Sequence, residues 1–160
     1  MGAGKTSVGR EVAHRLGWAL SDSDEEIQAT TGRSVQELAA ERGVDAMHAL
    51  ESEHLFSALR RDQASVVCAA ASVVDDAKCR EALTSPTALA VWLRADPHTL
   101  AVRFLSSNHR PAYGDDPGEF LAQQSVARST LFEAVSRATI DVDDMSIGAA
   151  ADAVCKLLGR

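Results

Sequence analysis

Aromatic side chains are scarce in this sequence: Phe, Trp and Tyr together make up 4% of its 160 residues. A core without large rings has to be filled by Ala, Val and Leu, which suits helices packed on a sheet better than an aromatic-rich sandwich. Basic residues are also few, with 16 Lys and Arg against 23 Asp and Glu and a formal net charge of -7. An acidic surface repels a polyanion, so nucleic acid is excluded as the partner and a small ligand in a local basic pocket is favoured. The three cysteines, Cys68, Cys79 and Cys155, are odd in number, far apart and without metal-ligand spacing. They read as reduced, buried thiols rather than a disulfide frame or a zinc site. No apolar run reaches transmembrane length, and no basic segment followed by an apolar one opens the chain. The expectation is a cytoplasmic protein that makes no membrane contact.

With 46% hydrophobic residues the chain can bury a real core, and its length fits one domain over residues 1–160. Val8, Val12, Ala13 and Leu16 recur at helical spacing and Gly17 follows, which predicts a first helix from about Lys5 to Leu16. "WALSD" reads as a strand delivering carboxylates at its C-terminal end. Helical patterns follow over about Asp24 to Thr31, Ser34 to Arg42 and Asp45 to Arg61, broken by Gly32 and Gly43. "SVVCAA" reads as a buried strand, followed by a helix near Asp76 to Leu83, and "LAVWLRA" is the clearest strand of the chain. Pro97 opens the next helix, to about Ser106. "SSNHRPAYGDDPG" is dense in turn residues and predicts a mobile loop, a lid at about 107–118. A long helix from about Pro117 to Ser136, the strand "ATIDVD" and a helix from about Ser146 to Leu158 complete the pattern. Strands alternating with helices imply an α/β fold, a mainly parallel sheet covered on both faces.

The chain opens MGAGKTS, in which Gly4, Lys5 and Thr6 supply the last three positions of the phosphate-loop pattern G-x-x-x-x-G-K-[ST]. The first glycine of that pattern would lie before Met1. Such a loop points successive backbone N–H groups at phosphate oxygens, the helix behind it adds partial positive charge, and its Lys reaches the β and γ phosphates. Its Thr hydroxyl can hold Mg2+. The plainer reading is a flexible segment that happens to contain GKT, but its place directly before an amphipathic helix favours the phosphate loop. "DSD" puts Asp22 and Asp24 two apart at a strand end, hence on one face, where one can approach a metal shell and the other a substrate hydroxyl. The competing reading makes Asp24 the N-cap of "EEIQAT".

MGAGKTSVGR, LSDSDEEI, TGRSVQEL, "MHALESE", "CAAASVVDDAKCREAL", "AVWLRADPHTLAVR", "NHRPAY" and "VARSTLFEAV" come in an order and spacing that together resemble a shikimate kinase. The resemblance covers nearly the whole chain. It implies a three-layer P-loop kinase fold and the transfer of a phosphoryl group from ATP, with Mg2+, to the 3-hydroxyl of shikimate in aromatic amino-acid biosynthesis. By position, Gly2, Ala3, Gly4, Lys5, Thr6 and Ser7 match the ATP phosphate site, with Thr6 and Asp22 at the metal. Asp24 matches the carboxylate that engages the reacting hydroxyl, and Arg110 the lid arginine that closes over the phosphates. Lys5, Asp24 and Arg110 would carry catalysis. Arg128 matches an arginine that grips the substrate carboxylate, although the family usually has Tyr where Phe132 stands. The implied partner is a small hydroxy acid, shikimate foremost, bound by a monomer.

Two departures bear on the substrate side. Met47 and His48 stand where the family has a Phe-Arg pair, and His is shorter and lacks the guanidinium fork that grips a carboxylate. Ala69, Ala70 and Ala71 replace three glycines, and each added methyl either blocks close approach to the Ala70 region of the substrate site or forbids a positive φ. A run of small residues on ordinary backbone would be harmless. These departures leave open a second reading, a degenerate paralogue that binds nucleotide, metabolite or a protein partner without turnover. A related kinase for another acid or sugar has no dedicated signature in the chain.

The resemblance implies strand order 2-3-1-4-5, with the strand that feeds the phosphate loop at the centre. The chain is therefore expected to be an N-terminally shortened version of a longer protein, with that first strand missing. "SVVCAA" and "LAVWLRA" should then flank an empty slot or pair directly. Unpaired buried backbone groups cost about 1 to 3 kcal/mol each, against a net stability of about 5 to 15 kcal/mol for a typical domain. Adding roughly ten apolar, β-branched residues ending in Gly-x, enough for one strand, is expected to raise both the melting temperature and the affinity for ATP. Equal melting and equal ATP binding in the two forms would overturn the missing-strand argument.

Overall fold

The computed structural model describes residues 2–105 and 117–159. The helices are α1 (Lys5–Leu16), α2 (Ser23–Thr31), α3 (Val35–Arg42), α4 (Val44–Leu59), α5 (Ala77–Leu83), α6 (Pro97–Leu105), α7 (Pro117–Val135) and α8 (Ile147–Leu157). The strands are β1 (Ala19–Asp22), β2 (Ser65–Cys68), β3 (Val91–Arg94) and β4 (Ala138–Asp141), and Ala71–Asp75 forms a 3-10 turn between β2 and α5. Local chemistry sets most boundaries. Gly17, at φ 66°, ends α1 by donating its N–H to Ala13 and His14 carbonyls. Ser34 and Glu37 close a capping box on α3, and the Asp22, Asp76 and Ser146 side chains cap α2, α5 and α8.

The strands form two parallel ladders. β1 pairs with β2 from Ala19↔Ser65 to Asp22↔Cys68, and β3 pairs with β4 from Val91↔Ala138 to Arg94↔Asp141. Among the described residues no ladder joins β2 to β3, so direct pairing of those two strands is not the arrangement adopted. Arg94 and Asp141, partners in register, also form a bidentate ion pair at 2.5 and 2.9 Å.

Strand alternation makes the three layers. Val66 faces a cluster with Val8 and Val12 of α1 and Ala150, Ala151 and Cys155 of α8; Val91, Leu93 and Ile140 join it from the other ladder. Val67 faces the opposite way, into Leu55 of α4, Val73, Val74, Cys79 of α5 and Val135 of α7. Trp92 points to this second side and stacks on Phe132, ring centroids 5.4 Å apart and planes at 21°. The buried residues of both clusters are small and aliphatic, and the aromatic Phe56 and Phe132 pack against the edge of the second. The three cysteines are free and buried, and burial pushes the Cys68 thiol up to about 11.

"DSD" departs from its sequence reading. The strand stops at Asp22, and Asp24 lies in the first turn of α2, so the two carboxylates do not share a strand face. The helix cap is Asp22, whose carboxylate accepts from the Asp24 and Glu25 N–H groups, rather than Asp24. One half of the reading of the Ala run is corrected: Ala70 has φ -63° and ψ 151°, and no described non-glycine residue has a positive φ. The ordinary backbone leaves no conformation there that an added methyl forbids. The lid expected at about 107–118 falls almost wholly outside the described residues, and Arg110 with it.

Gly9 fixes how closely α1 approaches β2. A Cβ there would overlap Cys68 Sγ and lie 3.6 Å from both Leu20 Cδ1 and Val66 Cγ1. Overpacking of this kind costs about 1 to 3 kcal/mol. Gly9→Ala is expected to lose that much stability in urea unfolding, and combining it with Cys68→Ala should recover part of the loss. Additive losses in the double variant would show that the sulfur is not the obstacle.

Candidate active site

The turn into α1 bends through two left-handed residues, Gly2 at φ 80° and Gly4 at φ 79°. Gly2 is pressed against α6, where a Cβ would sit 2.8 Å from the Leu100 carbonyl oxygen, so no side chain fits. Gly4 is the N-cap and has no side chain to satisfy the first-turn N–H groups of α1. A helix N-terminus left uncapped in this way presents donors and partial positive charge to an anion. Lys5, the first helical residue, adds a full charge. Cys68 Sγ donates to the Lys5 carbonyl at 3.5 Å, tying the start of α1 to the end of β2.

Thr6 and Asp22 come together as expected. Thr6 Oγ1 donates to Asp22 Oδ2 at 2.8 Å, while Asp22 Oδ1 accepts from the N–H groups of Asp24 at 3.1 Å and Glu25 at 3.4 Å. Asp22 is buried, and its carboxylate thus ties the phosphate loop to the first turn of α2. Asp24 projects from that turn and is exposed.

Titratable groups from α2, α4 and α7 interact beyond it. Glu51 of α4 is buried, bonded to the Ser72 hydroxyl, and feels the charges of His48, Asp24 and Arg128. Its carboxyl is raised above the ordinary value, chiefly because burial disfavours the anion, with Asp24 adding to the rise; Ser72, His48 and Arg128 oppose it. Ala70, beside Ser72, is buried at the end of β2. Arg128 of α7 is gripped by Asp75: Nε donates to both carboxylate oxygens at 3.0 Å and Nη2 to Oδ2 at 2.5 Å. Phe132, one turn further along α7, stacks on Trp92, so the residue standing in place of the family's Tyr is a packing residue.

A cavity of about 330 Å³ opens on the other side of the phosphate loop, with Ala3, Gly4, Ser7, Arg103, Val142 and Ile147 in its wall. Arg103 of α6 is held there by donating to the carbonyls of Val142 at 3.1 Å and Asp143 at 2.9 Å.

Sequence reasoning missed Glu51, Ser72, Asp75 and Arg103. Glu51 was within reach of a pattern, since it follows His48 by three residues on one helix and so shares its face. Nothing in "SVVDDAKC" marks Asp75 as a partner for a residue 53 positions away.

A parallel α/β fold, a phosphate loop entering a helix, and a Thr–Asp oxygen pair beside a charged pocket define the class of P-loop kinases acting on small molecules. The family model described as shikimate kinase matches residues 1–158. The shikimate kinase of Caulobacter vibrioides is 35% identical over 144 residues, 89% of this chain and 70% of that protein. The shikimate kinase of Symbiobacterium thermophilum is 33% identical over 150 residues, 92% of this chain and 85% of the other. Among solved structures, shikimate kinase from Acinetobacter baumannii in complex with shikimate superposes with a TM-score of 0.86 at 25% identity, covering 99% of this chain and 88% of that one. The shikimate kinase structure from Bacteroides thetaiotaomicron, at 22% identity, shares the fold with the same TM-score and covers 100% and 94%. The chain belongs to the shikimate kinase family, and it is an ATP-dependent small-molecule kinase.

The raised Glu51 carboxyl gives a pH signature. A folded value above the unfolded one means that its contribution to stability is complete below about 4.5, the ordinary value, and is lost as pH rises through the folded value. Glu51→Gln removes that loss. The variant is expected to gain stability relative to the parent between pH 4 and pH 7 in urea unfolding, and parallel pH profiles would contradict the assignment.

Proposed function

We propose that this chain transfers the γ-phosphoryl group of ATP to the 3-hydroxyl of shikimate. The observation that carries this reading is the bridge at Asp22. The same carboxylate receives Thr6 of the phosphate loop and the N–H of Asp24, so the hydroxyl-engaging residue is held at a fixed distance from the phosphate site. The family membership and the shikimate held by the Acinetobacter baumannii relative support the choice of substrate.

In this reading Lys5 and the N–H groups at the start of α1 hold the β and γ phosphates, and the cavity beside Arg103 takes the base. Thr6 and Asp22 offer two hard oxygens, which fits Mg2+ taking the rest of its shell from phosphate and water. Mg2+ would supply neutralisation of the charge on the β and γ oxygens. Asp24 accepts the proton of the attacking hydroxyl, Arg110, outside the described residues, takes by position the role of the family's phosphate-binding arginine, and Arg128 with His48 orients the substrate carboxylate over Glu51. Phosphoryl transfer needs mainly positioning and charge neutralisation, which these groups provide. We further infer one domain, a monomer in the cytoplasm; among the described residues no helix is long and apolar enough to cross a membrane.

A coupled assay of ADP release with shikimate and a panel of hydroxy acids tests the reading. Shikimate-dependent turnover is expected. ATP binding without turnover on any of them would favour the non-catalytic paralogue. His48→Arg is expected to lower the KM for shikimate about tenfold or more, since a charge-assisted hydrogen bond contributes about 1.5 to 3 kcal/mol. An unchanged KM would mean that the carboxylate does not sit near residue 48.

A further inference from the structure

Arg128 already holds a carboxylate, and that carboxylate belongs to the chain itself. Asp75 takes the Nε and Nη2 donors of the guanidinium, one complete edge of the group, through three contacts of 2.5 to 3.0 Å. The pair is not a loose surface contact. The Arg128 side chain is only 18% exposed, against 43% for Asp75. The backbone under Asp75 is anchored as well, because Arg80 Nη1 donates to the carbonyls of Val74 at 2.7 Å and Asp75 at 3.0 Å. Its neighbour Asp76 is committed elsewhere, capping α5 through the N–H groups of Lys78 and Cys79. The adjacent aspartates therefore have separate tasks, one closing a helix and one neutralising Arg128.

We infer that Asp75 is a specificity-determining residue: an internal carboxylate that competes with the substrate's carboxylate for Arg128 and sets the affinity of the site for acids. This rests on the reading that Arg128 receives the substrate carboxylate. An incoming acid meets a guanidinium that is already neutralised, with Asp24 and Glu51 close enough to interact. It has to displace Asp75 or share one cation with it, and like charges at such distances disfavour sharing. Displacement needs only a side-chain rotation of Asp75, whose outward face is in water, while the anchored carbonyls stay in place. The ion pair thus weakens the binding of anionic substrates without removing the residue that recognises them. A neutral polyol escapes this competition.

The test is Asp75→Asn beside Asp76→Asn, which deletes the same charge one residue away and keeps a side chain that caps well. Shikimate and its methyl ester are the probes, each titrated by calorimetry and assayed for turnover, with Asp75→Ser as a second variant. Asp75→Asn is expected to lower both Kd and KM for shikimate about tenfold, about 1.4 kcal/mol, with kcat within about twofold. The methyl ester should bind the parent and the variant alike, and Asp76→Asn should change neither ligand. Asp75→Ser should act in the same direction. If the parent phosphorylates shikimate and Asp75→Asn leaves KM unchanged or raises it, the competition is overturned, Asp75 merely orients Arg128, and the proposed activity stands. If the parent neither binds nor turns over shikimate while Asp75→Asn binds it, the competition stands and shikimate is not the native substrate. If no variant binds shikimate, both fall.

Discussion

The close approach of α1 to the strands is the constraint on which the remaining geometry depends. Gly9 lets the helix lie against Cys68 and Val66, and Val8 and Val12 reach residues of both strand pairs. β2 and β3 share no ladder among the described residues, so this helix face is a principal contact joining the two halves of the sheet layer. The N-terminus of the same helix is the phosphate loop. Packing and ligand recognition are thus properties of one element, and a change that lifts α1 off β2 would move Lys5 and Thr6 as well.

Asp22 transmits that position to the first turn of α2. A buried aspartate is tolerated only when its oxygens are satisfied, and here the partners are the Thr6 hydroxyl and the first-turn N–H groups of α2. One carboxylate therefore caps a helix and fixes the Thr6 hydroxyl at once. Of the readings set against each other for "DSD", the helix cap is present but falls on Asp22 rather than on Asp24.

The region around Glu51 is held together by opposed charges and hydrogen bonds. Glu51 is kept from water and bonded to Ser72, Arg128 is paired to Asp75, and His48 stands where a second guanidinium would be expected. With one arginine neutralised internally and the other absent, the pocket is less cationic than the family resemblance alone implies. The Ala69 to Ala71 run needs no left-handed backbone, since its conformation is of the kind any residue adopts.

Much of this protein was legible from residue order. Helical spacing of Val8, Val12 and Leu16, the breaks at Gly17, Gly32 and Gly43, and the aliphatic strands located nearly every element, because these are signals between residues a few positions apart. GKT before an amphipathic helix, with Asp22 at the next strand end, marked the loop and the strand end that the structure brings together through Thr6 and Asp22. The tertiary structure alone decided that no ladder joins β2 to β3 among the described residues, that Thr6 meets Asp22 across 16 residues, and that Asp75 reaches Arg128 across 53. Those outcomes depend on how strands, turns and helices distant in the chain are brought together. No periodicity or local propensity encodes that, since the energies that decide it are packing and charge contacts between segments that meet only on folding.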